Sequence, residues 1–218
     1  MRNSIMRTVR WMSGLALLAL LPAVGQAQSS RYFQNSWFWG FKVADMNTNT
    51  GVTTFNAPLV GLEWLITRTH AGLYVTAEEA FFSEPGGVFD NAGNFYNLTL
   101  KDMTKFSFAA LAFPYTFGTL RPYVGLGLAI NNIQHVNVNG TITDPDQAQV
   151  VADRLAELRS TASFLLMGGG QWALKRASVF GQVQWMPARG NFLFSGRATW
   201  FLETGIRYNF GESRDSEK

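Results

Sequence analysis

The 218-residue chain contains no cysteine, which excludes disulfide staples, thiolate metal centres and a lipid anchor built on an N-terminal cysteine thiol. Its formal net charge of +3 resides in Arg2, Arg7 and Arg10. The other 15 of its 18 basic residues balance 15 acidic ones, so nothing in the charge asks for a nucleic acid or an acidic partner. No cofactor or metal ion is expected.

In chain order, residues 1–27 read as a cleaved export signal. The three arginines form a positive n-region, Trp11 to Val24 is apolar, and Gly25-Gln26-Ala27 supplies small residues at the cleavage site. A cut after Ala27 leaves Gln28 to Lys218, a length suited to one domain. Hydrophobic residues make up 47% of the chain. Yet no later segment reaches the ~18 uninterrupted apolar residues of a spanning helix, and the pattern has period two rather than 3.6.

Eight strands are predicted. In SWFWGFKVA, Ser36 to Ala44, Trp37, Trp39, Phe41 and Val43 share one face, opposite Ser36, Phe38, Gly40 and Lys42. LVGLEWLIT, Leu59 to Thr67, alternates Val60, Leu62, Trp64 and Ile66 with Gly61, Glu63 and Leu65. Weaker candidates are Leu73 to Phe82, Lys105 to Tyr115 and Ser163 to Trp172. PYVGLGLAIN, SVFGQVQW and ATWFLETGIRYNF complete the set, over 122–131, 178–185 and 198–210. One face is heavily aromatic, while the other carries Gly, Ala, Ser, Gln and isolated charges, as a small enclosed space requires. Trp37, Trp172, Trp185 and Trp200 fall near strand ends, where lipid-facing strands carry an aromatic girdle. Strands that cross lipid must close on themselves, because an open edge would leave backbone groups unpaired in hydrocarbon.

The links alternate. Short ones follow strands two, four and six, and long ones follow strands one, three, five and seven, the sorting expected of short periplasmic turns and long external loops. The expected fold is all-β: a closed antiparallel eight-stranded up-and-down transmembrane barrel over 28–211, with a polar tail over 212–218. The third long loop predicts one short helix, with Asp144 as N-cap, Pro145 at its first position, and Val151, Leu155 and Leu158 on one face. This helix is expected to lie over the loop end of the barrel.

The last strand carries ETGIRYNF. Glu203, Gly205, Tyr208 and Phe210 match polar–x–Gly–x–x–aromatic–x–aromatic, which resembles the terminal signal read by the barrel assembly machinery, although Gly211 to Lys218 follow it here. The whole pattern resembles small outer-membrane barrels such as the OmpA transmembrane domain, OmpX and the OmpW-like proteins. That resemblance implies a bacterial outer-membrane location, with lipid, lipopolysaccharide and the assembly machinery as partners and a further surface partner reachable through the loops.

On the inward face, Lys42, Glu63, Glu78, Lys105, Glu203 and Arg207 are expected to form an ion-pair network, since an isolated buried charge costs several kcal/mol. Lys42, Glu63 and Glu203 are expected to meet, because the first and last strands are neighbours. Eight strands leave barely enough room for side chains, which favours a plugged lumen and a structural or surface-interaction role without catalysis. The alternatives are an OmpW-like narrow channel for small or apolar solutes and a lipid A-modifying enzyme, for which His70 and His135 are the available imidazoles. Gly125, Gly127 and the run Gly168 to Gly170 lack the context of a phosphate cradle and are expected to leave room for bulky inward side chains such as Phe38, Tyr74 or Phe201.

Overall fold

The computed structural model describes residues 35–90, 93–194 and 196–212. The expected export signal, and all of the expected tail except Glu212, lie outside the described residues. The elements are β1 (Ser36–Asn49), β2 (Thr54–Thr67), β3 (Ala71–Phe89), β4 (Phe95–Ala112), β5 (Leu120–Val138), α1 (Pro145–Leu158), β6 (Ser160–Leu174), β7 (Ala177–Met186) and β8 (Thr199–Glu212). Each strand pairs antiparallel with the next, and β8 closes on β1, where Lys42 faces Gly205 and Trp39 faces Tyr208. No helix among the described residues is long and apolar enough to cross a membrane.

Alternation explains the two surfaces of the wall. Residues of one parity point out and form an apolar band: Trp39 is 55% exposed, Leu62 59% and Leu202 64%. So much contiguous apolar surface is untenable in water and natural in lipid. Residues of the other parity fill the interior. Trp37 and Trp172 lie toward the end with the short links, and Trp185 and Trp200 toward the end with the long ones. At the closing seam, Phe210 of β8 packs on Trp37 and Trp39 of β1, with ring centroids 6.3 and 6.2 Å apart.

The strands are longer than the periodicity predicts. The segment 83–100, expected to be a long loop, is mostly hairpin: β3 and β4 stay paired from Ser83↔Lys101 to Phe89↔Phe95. β5 continues to Val138, still paired with β4, through residues expected to be irregular. The first long link likewise shrinks to a turn between Asn49 and Thr54. The surroundings change there: beyond the apolar band the outward face meets water and carries Asn97, Thr99, His135 and Asn137, while Leu98, Leu100, Val136 and Val138 still alternate with them on the inward face, so the strand continues without the aromatic, lipid-facing residues that mark the wall. β2 pairs with β3 only as far as Leu59↔Ala80, so β3, β4 and β5 project as a three-stranded sheet. A register shift between Ala80 and Ser83 marks the departure, where Asp102 takes a positive φ of 54° and its carboxylate accepts from the Phe82 amide at 3.2 Å.

Candidate functional site

The lumen is stratified. Toward the short links, Phe38, Leu65, Leu111, Phe113 and Met167 form an apolar layer. Arg121, buried beside them, lies 4.0 Å from the Phe113 ring centre. It donates to the carbonyls of Arg68 and Thr69 at 3.0 and 2.5 Å, holding the β2–β3 turn against the barrel end.

Above this layer lie all six inward charges singled out in the sequence, none more than 3% exposed. They form two groups. In the lower group, the Arg207 guanidinium forks onto Glu63: Nε donates to Oε1, and Nη2 lies 3.4 Å from Oε2. Nη1 donates to Gln171 Oε1 at 2.8 Å, and the guanidinium sits 3.8 Å from the Phe180 ring centre. A planar cation with fixed donors suits a bidentate carboxylate and an aromatic face together.

In the upper group, Lys42 and Lys105 alternate with Glu78 and Glu203. Lys42 pairs with Glu78 and, at 2.8 Å, with Glu203. Lys105 lies 2.7 Å from Glu78 and 3.7 Å from Glu203. Neutral groups add further hydrogen bonds to these charges. Gln182 and Gln184 donate to Glu203 at 2.5 and 3.0 Å, Thr76 donates to Glu78 at 2.7 Å, and Lys42 donates to the Tyr74 hydroxyl at 3.0 Å. Three cations and three anions thus cancel within the wall, which is what the burial of each one requires.

The expected meeting of Lys42, Glu63 and Glu203 is corrected in one member. Register places Glu63 opposite Gly40 and Thr76, nearer the short-link end, where it takes Arg207 instead. Small residues make the packing possible. A Cβ on Gly61 would lie 2.8 Å from the Glu78 side chain, and one on Gly40 would lie 2.6 Å from Glu63. The rings that inward glycines were expected to accommodate are also different. Gly205 makes room for Phe180, and Gly125 for Leu111 and Met167, rather than for Phe38, Tyr74 or Phe201.

The long-link end is closed by a second apolar cluster. α1 forms as the sequence predicts, with the Asp144 carboxylate accepting from the Asp146 amide at 3.0 Å. Its Val151, Leu155 and Leu158 are buried over the barrel mouth. Phe192, Leu193 and Phe194 of the last long link also turn inward, and Phe194 meets Phe82 at 5.6 Å and Phe55 at 5.9 Å. The sequence reading missed this insertion and the buried Arg121. An Asn-Phe-Leu-Phe run in an otherwise small and polar loop was the available signal for the first. For the second it was the inward parity that Arg121 shares with Tyr123.

His70 and His135 are exposed at opposite ends, one in the β2–β3 turn and one on the outward face of the β5 extension. In β8, Glu203 belongs to the charged layer and Gly205 to the packing around Phe180, while Tyr208 and Phe210 face outward.

No protein-family model and no curated protein sequence matches the chain. Solved structures do. Neisserial surface protein A superposes with a TM-score of 0.55 at 10% identity, over 80% of this chain and 97% of that one. The outer membrane protein OprG from Pseudomonas aeruginosa gives 0.52 at 13% identity, over 81% and 97%. The chain therefore has the fold of the small eight-stranded outer-membrane barrels.

Proposed function

We propose that the chain is a non-enzymatic integral protein of a bacterial outer membrane. In this reading its lumen is sealed by side chains and its working surface is the part that projects beyond the lipid. The observation that carries the reading is the filled cross-section: a charge-balanced layer held between two apolar ones. A narrow channel would need unpaired polar groups along a continuous path, and the inward charges are instead spent on one another. The separation of His70 from His135 counts against a rim enzyme that uses both imidazoles.

The projecting sheet supports a surface-interaction role. Its outward face presents Asn97, Thr99, Lys101, His135 and Asn137, and its tip presents Phe89 and Phe95, in tilted contact at 5.0 Å and both exposed. Trp37, Trp172, Trp185 and Trp200 act in this reading as the girdle against lipid headgroups, and Glu203, Gly205, Tyr208 and Phe210 as the signal to the assembly machinery after export by residues 1–27. An epitope inserted between Asp90 and Asn94 tests the placement. Antibody should label intact cells, and the protein should fractionate with the outer membrane. Labelling that requires permeabilised cells would contradict it.

A further inference from the structure

Where the projecting sheet meets the start of α1, a cavity of about 330 Å³ opens to solvent. Its floor is apolar. Tyr96 of β4 and Val138 of β5 lie on the inward face of the sheet and, with Ile142 from the link to α1, pack against the external apolar cluster. Its rim is polar and exposed, formed by Thr141, Thr143, Asp144 and Gln147. The walls are held by the protein's own bonds. The Asn139 amide donates to the Asn97 carbonyl at 2.8 Å, and Thr99 donates to the Asn139 side chain at 2.9 Å. Gly140 then turns the chain at a φ of 116°. Across the cavity Asp144 caps α1, its Oδ1 accepting from the Asp146 amide and its carbonyl from the Ala148 amide, both at 3.0 Å. The volume falls at the lower end of the range for small-molecule sites, about 300–1,000 Å³.

The charge around the cavity narrows what it can hold. The segments that build it, 89–100 and 136–153, contain no lysine, arginine or histidine. An anionic ligand would therefore meet Asp90 and Asp144 with no cation to offset them. A cationic ligand fares little better, because Asp90 is already engaged. Its Oδ1 accepts from the Asn94 amide at 2.8 Å, and its Oδ2 accepts from the Asn94 side chain at 2.9 Å and the Tyr96 hydroxyl at 3.3 Å. Asp144 sits at the positive end of α1, which offsets part of its charge. What remains is a largely neutral hydrogen-bonding set. Among the described residues, Thr141, Thr143 and Gln147 make no side-chain hydrogen bond, and the second carboxylate oxygen of Asp144 accepts none. Desolvation and the carboxylates of Asp90 and Asp144 raise the Tyr96 pKa, so its hydroxyl stays neutral.

We infer that this cavity binds one neutral sugar residue of a glycan. The inference rests on the surface-interaction reading above and gives that surface a ligand class. A pyranose ring has a face of C–H groups and an edge of hydroxyls that both donate and accept. The Tyr96 ring, with Val138 and Ile142, offers an apolar surface to the face. The hydroxyls of Thr141 and Thr143, the Gln147 amide and the open Asp144 oxygen offer donors and acceptors to the edge.

The test uses the full chain, exported, extracted in mild detergent and verified as a closed barrel by heat-shifted gel mobility, with every variant passing the same check. Saturation-transfer NMR then measures binding of glucose, galactose, mannose and N-acetylglucosamine, beside the charged glucosamine and glucuronate. At least one neutral sugar should bind, and more tightly than either charged one. Its affinity should fall at least tenfold in Tyr96→Leu and at least threefold in Gln147→Ala. Asp144→Asn should weaken it while leaving α1 in place, because asparagine caps a helix as well as aspartate does. Lys101→Ala, on the opposite face of the same sheet, should bind like the wild type. Four inert neutral sugars, equal affinity in the wild type and Tyr96→Leu, tighter binding of glucosamine or glucuronate, or a response only to added lipopolysaccharide would each overturn the inference. Sugar binding by a barrel whose Asp90–Asn94 epitope is labelled only in permeabilised cells would overturn the surface reading instead and uphold the site.

Discussion

Two buried regions close this barrel, and they do so by opposite chemistry. The middle of the lumen is ionic: Lys42, Glu78, Lys105 and Glu203, with the Glu63–Arg207 fork below them, are held at fixed distances by Gln171, Gln182, Gln184 and Tyr74. The external mouth is apolar, built from α1 and the inserted Phe192-Leu193-Phe194 over the upper strands. Removing part of an apolar cluster costs in proportion to the volume lost. Removing one member of a balanced ionic layer leaves a partner charged in a low-dielectric interior, so the cost is large and abrupt. The ionic layer thus fixes which side chains sit where, and the cap tolerates more variation.

The largest effect should come from Glu203→Ala. It strips Lys42 of its partner at 2.8 Å and removes the acceptor of Gln182 and Gln184. A loss of about 3–5 kcal/mol is expected, measured by denaturant unfolding in lipid vesicles. Phe194→Ala should cost about 3 kcal/mol. It should also expose the external links to protease while the lower barrel keeps its heat-shifted mobility. If both substitutions behaved alike in cost and in extent of opening, the contrast between the two regions would fail.

A third variant sharpens the contrast. Replacing the fork as a pair, Glu63→Leu with Arg207→Met, should cost less than Arg207→Met alone, because no charge is left without its partner. The smallest effect belongs to the projecting tip. Phe89→Ala with Phe95→Ala should change stability by no more than about 0.5 kcal/mol in the same assay, since both rings are largely solvent-exposed.

The wall was legible in the sequence because lipid outside and a narrow space inside impose one rule on every strand. Trp37, Trp39, Phe41 and Val43 could belong to no other face. The six inward charges were legible for the same reason, since parity alone puts Lys42 and Arg207 inside. Their partners were not, because partnership depends on register, and register moved Glu63 away from Lys42. Beyond the apolar band the rule lapses. Strand continues through Ser83 to Phe89 and Asn132 to Val138 by hydrogen bonding to β4. Leu98, Leu100, Val136 and Val138 still alternate there with polar residues, but the outward face no longer has the apolar and aromatic character by which the wall strands were read. Phe192 to Phe194 turn inward because the open mouth offers burial, a vacancy visible only once the barrel has closed.

Single-channel conductance of the exported, heat-shift-verified barrel in a planar bilayer tests the sealed lumen most directly. The wild type should be silent, and Phe194→Ala should be silent too, because the ionic layer still spans the interior. Discrete conductance steps in the wild type, altered by Glu63→Gln or Lys42→Met, would contradict the sealed lumen and make the inward charges the lining of a pore.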